Sequence, residues 1–184
     1  MRIITGSARG VRLKAPAGDG TRPTADRTRE ALFSMLGARV YDARVLDLFA
    51  GTGALSLESL SRGAAHAVLV DRTTHAILVE NAQRTKLAAR VQLRRGDVYG
   101  QVAALAREGR TFDLIFADPP YARGDNARVL AALDAGALLA ADGLFVLEQG
   151  AGEQIVERSG SLSLMRERCY GAARICFYTQ EVQE

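Results

Sequence analysis

The chain has 184 residues, 48% of them apolar and 24% charged, with a formal net charge of +3. These are the proportions of an ordinary globular protein, large enough to bury one full core. No run of 18 or more apolar residues is present, so no membrane span is expected, and MRIITGSARG has no long apolar stretch followed by a cleavage site, which points to a cytoplasmic protein without a secretory leader.

The opening segment RIITGSARGVRLKAP places β-branched pairs on either side of GSARG, which predicts a short hairpin with basic residues on its exposed face. Residues 1–30 carry seven basic side chains against three acidic ones, a net +4 that leaves −1 for the other 154 residues. Positive charge gathered at one end suits contact with a polyanion; a solvated arm is the alternative. PAGDGTRPTADR is rich in turn formers, and TADRTREALFSML then starts a helix that Thr24 or Asp26 could cap, with Ala31, Leu32, Met35 and Leu36 on its apolar face.

From Arg44 the pattern alternates. Strands are expected over Val45–Phe49, Ala67–Asp71, Val91–Asp97, Phe112–Asp118 and Gly143–Gln149, with helices between them over 54–62, 74–88, 98–108 and 126–135. The helix over 74–88 is expected to bury Ala76, Ile77, Val79 and Ala82. Two further strands fall within LSLMRERC and ARICFYT. Such alternation implies a parallel sheet covered by helices on both faces, whose ligands sit at the carboxyl ends of the strands. Asp47, Asp71, Asp97 and Asp118 all gather at that rim.

LDLFAGTGALSLESL joins the first strand to the first helix of this unit. Gly51 and Gly53 allow a tight turn and the close approach of a ligand to the backbone. Asp71, 18 residues beyond Gly53, is placed to accept both hydroxyls of a ribose. A dinucleotide fold would favour glycine where Ser56 stands, which weakens an NAD-dependent reading. A carboxylate at Asp47, next to Phe49, suits a ligand bearing an ammonium group and repels a pyrophosphate. S-Adenosylmethionine is favoured on that ground, with Asp97 accepting from the adenine amine and the Val98 backbone N–H facing the ring.

The fourth strand ends in Asp118, Pro119, Pro120 and Tyr121. Asp118 can accept a hydrogen bond from an exocyclic amine on a planar base. The prolines fix φ near −65° and aim the Pro119 carbonyl at the second N–H. Tyr121 offers a ring for stacking, worth roughly 1–3 kcal/mol. Two acceptors favour the pyramidal amine and free its lone pair, so positioning and electrostatics carry the catalysis, with no metal. Cys169 and Cys176 are expected as buried small residues, and His66 and His75 are too remote to complete a zinc site with them.

The elements RIITGSARGVRL, TRPTADRTREALFSML, VLDLFAGTGALSLESLSRGA, FDLIFADPPY and YGAARICFY resemble, in that order and over nearly the whole chain, the bacterial 16S ribosomal RNA guanine-N2 methyltransferases of the RsmD type. The resemblance implies an α/β, Rossmann-like class I methyltransferase with a seven-stranded, mostly parallel sheet, preceded by a basic hairpin extension over 1–20, with the catalytic domain over 21–184. It implies methylation of the N2 amine of one guanine in 16S rRNA, presented by the small subunit or a late assembly intermediate to a monomeric enzyme. Carried over by position, Asp47, Phe49, Gly51 and Gly53 line the methionine end of the cofactor, Asp71 the ribose and Asp97 the adenine, while Asp118, Pro119, Pro120 and Tyr121 form the target-base site. Thr24 and Arg27 approach the cofactor or the base, and Arg9, Arg12, Lys14, Arg22 and Arg27 contact RNA. Ser56 and Ala173 depart from the family pattern and are expected to lie away from the chemistry. Removing residues 1–18 is expected to weaken substrate binding and leave cofactor affinity intact. The acid-Pro-Pro-aromatic tetrad also serves adenine-N6 methylation of DNA or RNA and glutamine methylation in proteins. A non-catalytic rRNA-binding assembly factor is the remaining rival.

Overall fold

The computed structural model describes residues 1–16, 23–119 and 125–181, with the backbone alone over 23–25. Five parallel strands, β1 (Arg44–Leu48), β2 (His66–Asp71), β3 (Val91–Arg95), β4 (Phe112–Ala117) and β5 (Leu139–Gly150), alternate with helices α2 (Ala54–Ser61), α3 (His75–Arg84), α4 (Val98–Arg107) and α5 (Asp125–Gly136). Helix α1 (Pro23–Leu36) precedes them, and β6 (Arg158–Ser159), β7 (Leu162–Tyr170) and β8 (Ala173–Gln180) close the chain. The strand order is β3-β2-β1-β4-β5-β8-β7-β6, with β8 antiparallel to β5. The sheet therefore has eight strands where seven were expected, the extra one being the two-residue β6 beside β7.

Side chains alternate between two cores because successive residues of a strand face opposite sides. Val45, Leu69, Leu114, Phe116 and Phe177 pack under α1, α2 and α3. Leu46, Leu48, Val70, Ile115 and Phe145 pack under α4 and α5. β5 begins at Leu139, four residues before the predicted start, because Leu139 pairs with Phe112 across a register shift.

Helix α3 buries Ala82 as predicted, but its other buried residues are Leu78 and Asn81; Ile77 and Val79 are half-buried and Ala76 is exposed. The reason is polar: Asn81 occupies the centre of the buried face, which a count of apolar residues cannot find. Cys176 is buried as expected, but Cys169 is exposed near the end of β7. Asp26 does not precede α1 as a cap. It lies in the helix's first turn and accepts from the buried Arg29 at 3.0 Å.

Residues 1–16 fold back on themselves as the short hairpin expected, with Arg2 bridged antiparallel to Arg12, Leu13 N–H donating to the Met1 carbonyl at 3.1 Å and Ile3 N–H to the Val11 carbonyl at 3.0 Å. Polar clasps bind the segment to the domain. Ile4 and Thr5 N–H donate to the fully buried Glu58 carboxylate at 2.7 and 3.0 Å, and Ala8 N–H donates to Ser61 Oγ at 2.9 Å. At Gly6, φ is +86° and a Cβ would stand 1.8 Å from the Ser61 carbonyl oxygen, so only glycine lets the two backbones meet. Ile3, Ala8 and Leu13 are buried in the same core as α2; burying a side chain of the Ile or Leu size contributes about 1.5–3 kcal/mol.

Candidate active site

The chain runs from β1 outward to β2 and β3 on one side, then returns to β4 and β5 on the other. The order reverses between β1 and β4, which is where ligands bind in open parallel sheets. The glycine loop leaves the carboxyl end of β1 and Asp118 leaves that of β4, so the topology brings the two predicted halves of the site side by side.

Three left-handed residues shape the loop: Phe49 (φ +61°), Gly51 (+55°) and Gly53 (+76°). A non-glycine residue there carries about 1–3 kcal/mol of strain, of the kind held at functional sites. Phe49 is anchored by packing its half-buried ring against the α4–α5 core. A Cβ on Gly53 would meet Leu78 and Leu69 at 3.0 and 3.1 Å, whereas one on Gly51 would meet nothing closer than the Phe49 carbonyl oxygen at 3.9 Å. Gly53 is thus needed for packing, whereas the space beside Gly51 is open.

Asp71 holds this loop directly. Its Oδ2 accepts from Gly51 N–H at 3.0 Å, and its Oδ1 from Thr73 and Thr74 N–H at 2.7 and 2.8 Å. Burial works against its charge, but these backbone donors outweigh it and keep its pKa below the usual carboxylate value. Asp47 is 3% exposed and accepts from both the N–H and the Oγ of Ser56, at 3.3 and 2.7 Å. Burial raises its pKa to about 7; the Ser56 bonds hold it back and the charge of Asp71 adds to the rise. Ser56 was expected to lie away from the chemistry; in the structure it is bonded directly to Asp47. Its hydroxyl is the nearest partner of an acid that faces the same rim.

β3 ends at Arg95, so Asp97 stands beyond it as the N-cap of α4, its Oδ2 accepting from Gly100 N–H at 3.1 Å. Val98 follows with its side chain buried. Tyr99 on α4 donates to Asp125 at the start of α5 at 3.0 Å, and the Arg128 guanidinium lies 3.6 Å from the centre of its ring. Asp118 is open to solvent yet packed among protein atoms at the rim. Desolvation, then the charges of Glu148 and Asp47, push its pKa up to about 8. Pro119 behind it is buried. Glu148 was missed, although it obeys the rule that found the others, an acid near the carboxyl end of a parallel strand. Pro120, Tyr121, Arg22 and the side chain of Thr24 lie outside the described residues.

The basic residues of the first 30 positions divide. Arg2, Arg9 and Arg27 line one pocket with Ile4, Asp26 and Glu30, its volume about 450 Å³. Arg12 is exposed, while the Lys14 ammonium is paired with Glu80. Among the described residues, no group of three or more His, Cys, Asp or Glu side chains is arranged to hold a metal ion. Nor is any helix long and apolar enough to cross a membrane.

A glycine loop after β1, acids at the ends of β2 and β4, and the 3-2-1-4-5 order together define a Rossmann-like methyltransferase fold of class I. A family model described as conserved hypothetical protein 95 matches residues 1–179, and the chain belongs to that family, the RsmD type that its motifs resemble. Ribosomal RNA small subunit methyltransferase D of Escherichia coli K12 is 36% identical over 185 residues, covering 100% of this chain and 91% of that protein. The solved Escherichia coli protein yhhF superposes with a TM-score of 0.86 at 36% identity, covering 100% of this chain and 99% of that one. An RNA methyltransferase from Salinibacter ruber, solved with S-adenosyl-L-homocysteine, shares the fold at a TM-score of 0.64 and 15% identity, over 90% of this chain and 97% of that one.

Proposed function

We propose that the protein transfers a methyl group from S-adenosylmethionine to the exocyclic N2 amine of a guanine in small-subunit ribosomal RNA. The observation that carries this reading is the adjacency of β1 and β4, which sets the glycine loop and Asp47 beside Asp118 at the carboxyl ends of neighbouring strands. Desolvation, then the charges of Glu148 and Asp47, raise the Asp118 pKa; a carboxylate so placed is stabilised by a cation, such as the ammonium and sulfonium of this cofactor, and repels a pyrophosphate. The residues present fit that ligand: Gly51 lets it approach the loop backbone, Asp71 lies beside the loop for the ribose, and Asp97 and Val98 border the adenine position. The cofactor supplies a methyl group carried on positive sulfur, already a good electrophile.

The protein's part is to prepare the amine. Asp118 accepts one of its N–H groups and the Pro119 carbonyl the other, so the lone pair leaves conjugation with the ring. Pro120 and Tyr121 continue this site, the tyrosine ring stacking on the flipped base. Ionised Asp118 is also the nearest acceptor for the proton that the methylated amine releases. Arg9, Arg12, Arg22 and Arg27 meet RNA phosphates, whose contribution falls with salt. The small-subunit name of the Escherichia coli relative supports rRNA as the substrate, and the N-terminal motifs favour guanine within it.

Methyl transfer from labelled S-adenosylmethionine to small subunits, naked 16S rRNA and duplex DNA, followed by digestion to nucleosides, tests the proposal. Label is expected in N2-methylguanosine from the ribosomal substrates. N6-methyladenosine, or label in DNA alone, refutes it.

A further inference from the structure

The amide of Asn81 connects two parts of the protein that the sequence reading kept separate. Its Oδ1 accepts from Lys14 N–H at 2.8 Å, and its Nδ2 donates to the carbonyl oxygens of Lys14 and of Thr52 at 2.9 Å each. Asn81 is 0% exposed, so these are its means of satisfaction in a dry environment. Thr52 is the middle residue of the Gly51–Gly53 turn. The N-terminal segment reaches it by a second route as well, since Thr52 Oγ donates to the Met1 sulfur at 3.5 Å. Leu13 N–H donates to the Met1 carbonyl at 3.1 Å, which ties the two contacting strands of the segment together. The far side of the same segment carries Arg2 and Arg9 into the basic pocket.

We propose that Asn81 is a positioning residue that couples the RNA-binding N-terminal segment to the cofactor loop, so that RNA and cofactor strengthen each other's binding. The coupling rests on the methyltransferase reading and deepens it. The glycine turn is fixed at Gly51 by Asp71 and at Gly53 by Leu69 and Leu78. Thr52 lies between them, and its carbonyl is held by an amide whose remaining bonds all go to Lys14. A shift of the segment at Lys14 therefore reaches Thr52 through one side chain. An RNA that locks the segment in place locks the loop, and by reciprocity the cofactor does the same for the RNA. Residues 1–18 then serve both ligands, and the expectation that their removal spares the cofactor gives way.

Two variants separate coupling from mere support. Asn81→Ala removes all three bonds from the side-chain end. Lys14→Pro removes the bond donated by the Lys14 backbone together with the exposed Lys14–Glu80 ion pair and leaves Asn81 in place; Lys14→Ala, which removes that pair alone, accounts for the side chain. Gln83→Ala, on the exposed face of the same helix, is the control. Equilibrium dialysis with labelled S-adenosylhomocysteine, with and without 16S rRNA, is run at a temperature where circular dichroism shows each variant folded. In the wild type and the control, rRNA is expected to tighten binding of the probe about fivefold. In both variants the probe binds about three- to tenfold more weakly and the rRNA effect disappears. Folded variants that melt earlier but keep wild-type affinity and the wild-type rRNA effect would show Asn81 to be structural and overturn the coupling. A wild type that binds no probe at all overturns the cofactor assignment itself.

Discussion

Replacing Asp47 by asparagine should make the protein more stable in alkali and less stable in acid. A carboxyl moved from 3.8 to about 7 by burial disfavours its ionised folded form by about 4 kcal/mol above pH 7. Asparagine keeps an oxygen to accept from Ser56 but brings an NH2 group into a site 3% exposed, which costs about 1–3 kcal/mol if no acceptor takes it. The net gain above pH 7 is about 2 kcal/mol, or about 4–8 °C in melting temperature for a chain of this length. The sign follows from the direction of the shift. Because the folded pKa is raised, the wild type loses stability as pH climbs from about 4 through about 7, and the neutral variant does not. Below pH 4 both carboxyl states are protonated, only the amide cost is left, and the variant should melt first. Thermal unfolding by circular dichroism from pH 4 to 9, without cofactor, reads the difference. A variant that melts lower at every pH, or a gain that does not change with pH, refutes the reasoning, since neither carries the signature of a buried ionisation.

Ser56→Ala removes the 2.7 Å bond to Asp47 and should lower stability by about 1.5–3 kcal/mol at pH 8, where that acid is ionised, and by less at pH 5; denaturant titration at the two pH values checks it. Gly53→Ala combines a left-handed φ with a Cβ 3.0 Å from Leu78, so a loss of about 2–4 kcal/mol is expected, read as a lower denaturant midpoint. Asp118→Ala should slow single-turnover methyl transfer by roughly 10²–10³ while S-adenosylhomocysteine still binds in dialysis. In the wild type, ionised Asp118 is the stronger acceptor and the form that takes the released proton, and the bound cationic cofactor lowers its pKa from the raised value of about 8. The rate should therefore rise with pH and level below about pH 8, and a flat profile between pH 5 and 9 would contradict that role.

The sheet was legible because β1, β2 and β4 are buried on both faces and read as continuous apolar runs. The acids that end β2 and follow β4 were legible for the same reason, since a charge is most easily placed where such a run emerges, while Asp47 was legible as a break within the run of β1. What escaped was polar and inside. Asn81 sits on a helix face that apolar counting assigns elsewhere, and Glu58 is 0% exposed in a helix with no other charge, between Leu57 and Ser59. Glu58 has one local partner, Arg62 four residues on, but both side chains also depend on backbone groups more than 25 residues away, and no local pattern signals a partner at that distance. Ser56 was weighed only by size, as a substitute for glycine, although a hydroxyl beside a buried carboxylate has its own use. Glu148 was within reach of the rule that selected Asp118 and needed only to have that rule applied to the fifth strand.

The two margins of the sheet bear on how copies of the protein behave when concentrated. β3 forms one margin and ends in Arg94 and Arg95, with the first of these ion-paired to Glu108. The opposite margin is β6, only two residues long, and past it the rest of β7, which carries Arg166, Glu167 and Arg168 and an irregularity between Leu164 and Arg166. An exposed run of backbone N–H and C=O groups invites a neighbouring chain to add a strand, and charge or shortness at the border discourages it. Both borders here are blunted, so crowded solutions should stay dispersed without the ribbon-like stacking that a long bare margin promotes.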